Sequence, residues 1–132
     1  MNRFIISMAA AALVASTGAS AGTPTKASAK GEAQLAKLLE GRIAGKPQSC
    51  LPGRVSDRLQ VIDGTALVYK GGDTVYVAKP DDPRTIRSND ILVINRFGSQ
   101  LCRQDIIRTI DRNSGFMTGA IFLNDFVPYT KG

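Results

Sequence analysis

RLQVIDGTALVYKGGDTVYVAKP, residues 58–80, is the stretch that decides the fold. It contains three short runs of β-branched and aromatic residues, separated by Asp63-Gly64 and Gly71-Gly72. Such pairs supply the positive φ angles that tight hairpin turns require. The stretch therefore predicts three antiparallel strands joined by two hairpins, which is a β-meander.

The chain beyond the meander continues the β pattern. The run ILVI at residues 91–94 is short and apolar on both faces, which is typical of a buried central strand. Residues 105–112 alternate in part, with Ile106, Arg108, Ile110 and Arg112 on one side and Ile107, Thr109 and Asp111 on the other. Residues 116–129 predict a longer strand with a bulge or bend at Gly119. We therefore expect a mainly β fold of about six antiparallel strands, as a curled sheet or a small barrel.

An amphipathic helix is predicted before the meander, at residues 31–45. Leu35, Leu38, Leu39 and Ile43 recur there at helical spacing, and Gly45 with Pro47 beyond it ends the pattern. We expect this N-terminal helix to pack its leucine face on the sheet. A membrane-surface or partner-binding helix is the alternative, which is less favoured because the polar face carries both signs of charge and no aromatic residue.

The N-terminus has the pattern of a secretory signal peptide over residues 1–21. Arg3 precedes an apolar run, and small residues at 19–21 form the cleavage site. The apolar run is shorter than the ~20 residues that a spanning helix needs, so no transmembrane anchor is expected. We therefore predict a periplasmic or secreted protein, with a flexible leader at residues 22–31 and a single helix-plus-β domain at residues 32–132.

The chain has two cysteines, Cys50 and Cys102. In an exported protein the simplest prediction is one disulfide, which here would enclose the whole meander. A reactive thiol is less favoured because no histidine is present to activate it. For the same reason the usual ligand set of a zinc site is incomplete, and no metal is expected.

Several segments together resemble a family of small exported proteins of Gram-negative bacteria with unknown function and a cysteine pair. They are LAKLLEGRIAGKP at residues 35–47, Cys50, IDGTALVY at residues 62–69, ILVINRFGSQLC at residues 91–102 and LNDFVPY at residues 123–129. The resemblance covers nearly the whole chain after the signal peptide. It implies an extracytoplasmic location and the architecture described above, and it implies no activity.

The charge balance is basic, with 17 Lys and Arg against 11 Asp and Glu and a net charge of +6. The basic residues form no run, so a solubilising surface is the favoured interpretation. Anionic lipid head groups or acidic glycans remain open as partners. Nucleic acid is not expected, because the chain is predicted to be exported and has no basic stripe interleaved with stacking aromatics.

Enzymatic activity is not expected from this composition. The chain contains no histidine, which excludes mechanisms that use imidazole as the base. The remaining hypothesis is a small hydrolase that uses a carboxylate pair, for which Asp105 and Asp125 are the candidates. Either acid could instead pair with Arg103 or another arginine.

We therefore expect an exported accessory or binding protein that needs no cofactor. Its partner would be an envelope protein or an anionic glycan. Arginine and tyrosine supply forked hydrogen bonds and flat apolar contact, which suit recognition. The candidate binding residues are Arg103, Arg108, Arg112, Tyr69, Tyr76 and Tyr129.

Overall fold

The computed structural model describes residues 26–52 and 59–132, and the predicted signal peptide lies outside these ranges. The described residues form one α-helix and eight strands. The helix is α1, Lys26–Leu38. The strands are β1 (Arg42–Ala44), β2 (Leu59–Ile62), β3 (Ala66–Gly71), β4 (Thr74–Ala78), β5 (Asp90–Asn95), β6 (Ile106–Asp111), β7 (Met117–Ile121) and β8 (Val127–Lys131).

The predicted meander is confirmed as β2, β3 and β4, which pair antiparallel in chain order. Gly64 and Gly72 in its turns have φ angles of 58° and 61°. This left-handed region carries no steric cost for glycine. The first turn is one residue longer than predicted, because Ile62 pairs with Ala66.

The helix begins and ends earlier than the apolar spacing predicted. Residues 26–31 of the predicted leader are helical, and α1 ends at Leu38. Gly41, with a φ of 70°, turns the chain out of the helical path. Ile43 then lies on β1 and is 64% exposed, so its predicted place on the apolar helix face is wrong.

The strands form two antiparallel sheets and not one. The large sheet has the order β1-β8-β4-β3-β2, and the small sheet has the order β5-β6-β7. Both orders end on unpaired edges, so the predicted alternative of a closed barrel is wrong for the described residues. Eight strands replace about six because the predicted helix end forms β1 and the predicted strand at residues 116–129 divides into β7 and β8.

Residues 122–126 carry the chain from the small sheet to the large sheet. The backbone N–H of Asn124 donates to the carbonyl of Lys79 at 3.0 Å, which holds this crossover beside the end of β4. Leu123 and Phe126 are buried within it. The apolar run therefore continues across the crossover, which is why the sequence pattern predicted a single strand.

Buried side chains cover both faces of the large sheet. Leu67 and Val68 are neighbours on β3 and point to opposite faces, as strand geometry requires. The cluster on the Leu67 side joins the two sheets and contains Leu51, Leu67, Ala78, Ile86, Leu101, Ile107, Ile121, Leu123 and Phe126. The cluster on the Val68 side contains Leu35 of α1 with Ile62, Ala66, Val68, Val75 and Val77.

The sulfur atoms of Cys50 and Cys102 lie at disulfide distance, as predicted. The two residues form an antiparallel bridge. Next to it, the backbone N–H of Leu51 donates to the carbonyl of Leu101 at 2.8 Å. The cross-link therefore ties the segment before β2 to the loop between β5 and β6.

Candidate functional site

The small sheet turns one face toward the core and the other toward solvent. Leu92, Ile94, Ile107 and Ile121 belong to the core cluster or pack against it. We call the opposite face the outer sheet face. It consists of Ile91, Val93, Asn95, Ile106, Arg108, Ile110, Met117, Ala120 and Phe122, of which all but Asn95 and Arg108 are apolar.

Cross-strand neighbours make the outer sheet face continuous. Ile91 lies opposite Ile110, and Ile110 lies opposite Met117. Met117 is 68% exposed and Phe122 is 56% exposed. Contiguous exposed apolar patches on soluble proteins often accompany interaction sites, which makes this face the candidate site.

Arg108 occupies the centre of the outer sheet face. Val93 and Ala120 flank it on the neighbouring strands, and Ile106 and Ile110 flank it along β6. The side chain is exposed, and within residues 26–52 and 59–132 it has no hydrogen bond or ion pair. Within the part of the chain that the structure describes, the charge of Arg108 therefore lies in apolar surroundings without a counter-charge.

Two other exposed arginines have carboxylate partners. Arg103 contacts Asp125 at 3.1 Å, and Arg84 contacts Asp82 at 2.8 Å. The hydrogen bonds that Arg84 donates hold the pKa of Asp82 below its usual value. Arg108 differs from both, because its neighbours on the sheet are apolar.

The three candidate tyrosines do not meet. Tyr69 and Tyr76 lie opposite each other on β3 and β4, with ring centroids 6.2 Å apart, and both pack against the cluster between the sheets. Tyr129 packs against the cluster on the other face of the large sheet. All three are half-buried, and their contacts are those of core residues.

The three candidate arginines lie on different segments. Arg108 is on the outer sheet face, Arg103 follows the disulfide, and Arg112 lies in the turn after β6. The structure therefore does not assemble the six candidate residues into one concave surface.

The two candidate catalytic acids have structural contacts. Asp105 is 3% exposed and accepts hydrogen bonds from the backbone N–H groups of Cys102 at 2.8 Å and Phe97 at 3.4 Å. Asp125 forms its ion pair with Arg103, one of the two outcomes that the sequence left open. The carboxylate of Asp105 thus holds the loop at the disulfide.

A cleft of about 620 Å³ opens between β2 and β5, the edge strands of the two sheets. Its lining residues are Gln34, Leu59, Gln60, Val61, Asp63, Ser88, Asp90, Ile91, Leu92, Ile94 and Arg112. Asp63 accepts hydrogen bonds from the backbone N–H and the hydroxyl of Ser88, which ties the first hairpin to the segment before β5. Asp90 is 7% exposed, and its Oδ2 lies 3.4 Å from the hydroxyl of Thr118. Both carboxylates therefore serve structural contacts.

One sequence pattern covers the outer sheet face, but it indicated a buried strand. The run at residues 91–94 predicted a buried central strand, but β5 is an edge strand and Ile91 is 42% exposed. That prediction is wrong because a strand with core on one face and an exposed apolar patch on the other has the same pattern. The alternation of Ile106, Arg108 and Ile110 did identify the central row of the face.

The chain matches no protein-family model, and no curated protein or solved structure is significantly similar to it. The resemblance to a family of small exported proteins therefore stays a prediction. Among the described residues, no helix has the length and apolar character needed to cross a membrane.

Proposed function

We propose that this chain is an exported binding protein without catalytic activity and that the outer sheet face is its binding surface. The observation that carries the proposal is a continuous apolar face with Arg108, which has no partner among the described residues, at its centre. Covering that face with a partner removes apolar surface from water, which is the main favourable term in protein association. The central arginine adds orientation and selectivity.

The placement of the candidate acids supports binding over hydrolysis. A general acid and a general base have to reach the same substrate, and each needs a carboxylate free to exchange protons with it. Asp105 is buried under two backbone N–H groups, and Asp125 is paired with Arg103. These contacts, together with the lack of histidine, disfavour the hydrolase alternative.

The proposal also covers the location of the protein, its family and the placement of its helix. The protein acts in the periplasm or outside the cell, belongs to the family that it resembles, and packs α1 on the large sheet. The Cys50–Cys102 pair supports the location, because disulfides persist in oxidising compartments. Leu35, at 5% exposure, supports the placement of α1.

A second candidate is binding to an anionic glycan or lipid surface. The exposed arginines of this region favour it: Arg108 on β6 and Arg112 in the following turn are exposed, whereas Asp90 is buried and Asp111 is half-buried. The salt dependence separates the two candidates. Binding dominated by exposed charges weakens steeply with added salt, whereas apolar contact does not.

Replacing Met117 and Phe122 together with serine tests the binding surface. Both side chains are exposed, so each change should alter the free energy of unfolding by less than about 0.5 kcal/mol. We expect the unsubstituted protein to form a complex in extracts of the producing cell and the double variant not to form it. Light scattering measures the complex. Thr130→Ala on β8 is the exposed control that keeps it. A folded double variant that retains the complex contradicts the proposal.

A further inference from the structure

Covering the outer sheet face takes the guanidinium of Arg108 out of water. A buried charge is tolerated when a counter-charge and further hydrogen bonds accompany it. The nearest positions on this face are Val93, Ile106, Ile110 and Ala120, which are apolar. Asn95, opposite Ile106, is polar but carries no charge, so none of these positions offers a counter-charge. The partner therefore has to supply the carboxylate.

The dimensions of the outer sheet face fit a single helix. β5 and β6 are six residues long, which corresponds to about 20 Å. The axes of the two outer strands lie about 10 Å apart, close to the diameter of a helix with its side chains. The backbone of a central strand is already paired within the sheet, so an added β-strand finds no hydrogen bonds on this face.

A second copy of this chain fits the face poorly. Closed dimers are most often two-fold symmetric, with the same patch on both sides of the contact. Arg108 lies at the centre of the patch and would be buried close to its own symmetry mate. Like charges brought together in an interface disfavour that contact.

A lipid surface also fits the face poorly. Arg108 is surrounded by apolar side chains and does not stand at the rim of the patch. Flat insertion of the face would carry the guanidinium to the same depth as those side chains, below the lipid phosphates. A charge within the hydrocarbon layer is costly.

We infer that the outer sheet face binds an amphipathic helix of a partner protein and that this helix carries one carboxylate in its apolar stripe, opposite Arg108. This inference rests on the proposed function and names the chemistry of the partner. It requires a helix of about 13 residues, since a helix rises 1.5 Å per residue over about 20 Å.

Three synthetic helical peptides of about 15 residues test it. They share one leucine stripe and differ at a single central stripe position, which is Glu, Gln or Lys. Binding to the full mature protein is measured by fluorescence anisotropy. We expect the Glu peptide to bind at least about 10-fold more tightly than the Lys peptide. Arg108→Glu reverses this order, and Lys131→Glu on β8 leaves it unchanged.

Other outcomes overturn the inference in distinguishable ways. The three peptides could bind equally well, with binding lost in the Met117→Ser, Phe122→Ser variant. That result overturns the inferred partner carboxylate but supports the proposed binding surface. If no peptide binds, the inference that the partner element is a helix is overturned. Binding to vesicles of anionic phospholipid, or a dimer in sedimentation analysis that this double variant abolishes, assigns the face to another occupant. Retention of the native complex by the double variant overturns the proposed function as well.

Discussion

The carboxylate of Asp105 accepts a hydrogen bond from the backbone N–H of Cys102 at 2.8 Å. Asp105→Ala leaves that N–H without its partner, which should cost about 1–3 kcal/mol in the free energy of unfolding. Asp125→Ala is the matched control, because its ion pair with Arg103 lies at the surface and should contribute less than about 1 kcal/mol. Urea unfolding measures both. Equal losses for the two variants would contradict the structural role of Asp105.

The disulfide gives a second prediction. Replacing Cys50 and Cys102 with serine should lower the free energy of unfolding by about 2–4 kcal/mol, because the unfolded chain loses its cross-link. The β-rich circular dichroism spectrum should remain, since the core cluster between the sheets contains neither cysteine. Mass measurement before and after reduction checks the bond itself. Two free thiols in natively exported protein would contradict it.

The placement of α1 gives a third prediction. Leu35→Ala should cost about 2–5 kcal/mol, as truncation of a buried leucine does. Ile43→Ala should cost less than about 0.5 kcal/mol, because that side chain is 64% exposed on β1. Thermal and urea unfolding measure both changes. A larger loss for Ile43→Ala than for Leu35→Ala would contradict this placement and favour the helix that the apolar spacing predicted.

The turn between β6 and β7 gives a prediction of pH dependence. The backbone N–H groups of Ser114 and Asn113 donate to Asp111 Oδ1 at 2.7 and 3.0 Å. The bond from Ser114 is the main reason that the pKa of Asp111 lies below its ordinary value of 3.8. Ionised Asp111 therefore stabilises the fold above the unfolded pKa, and this contribution is lost as the pH falls through the lower folded pKa.

Asp111→Asn should therefore reduce the loss of stability on acidification. The measurement is the free energy of unfolding at about pH 7 and about pH 3, on either side of the unfolded value. Asp73→Asn, in the exposed turn between β3 and β4, is the charge-matched control. If the free energy of unfolding of Asp111→Asn differs between the two pH values by as much as that of the unsubstituted protein, Asp111 does not contribute to the acid dependence.

Local patterns predicted the local parts of the fold. The turns at Gly64 and Gly72 are set by residues next to one another in sequence, so the meander was predictable. The pairing of β8 with β1 and β4 joins segments far apart in the chain, and no local pattern determines it. The division into two sheets depends on that pairing, which is why a single curled sheet was predicted.

The outer sheet face was harder to predict for a related reason. Periodicity reports which residues share a face of a strand, and it grouped Ile106, Arg108 and Ile110 correctly. Arg112, which it placed on the same side, lies in the turn after β6. Periodicity does not report what covers that face. The apolar pattern at Ile91 therefore indicated a buried side chain, although Ile91 is 42% exposed.

The most direct test of the binding surface is site-specific photo-crosslinking in the producing cell. A photoreactive phenylalanine analogue replaces Phe122 on the outer sheet face, or Thr130 on β8 as the exposed control on the large sheet. We predict a protein adduct from position 122 that Arg108→Glu diminishes, and none from position 130. Adducts of equal yield from both positions, or none from position 122, would contradict the account.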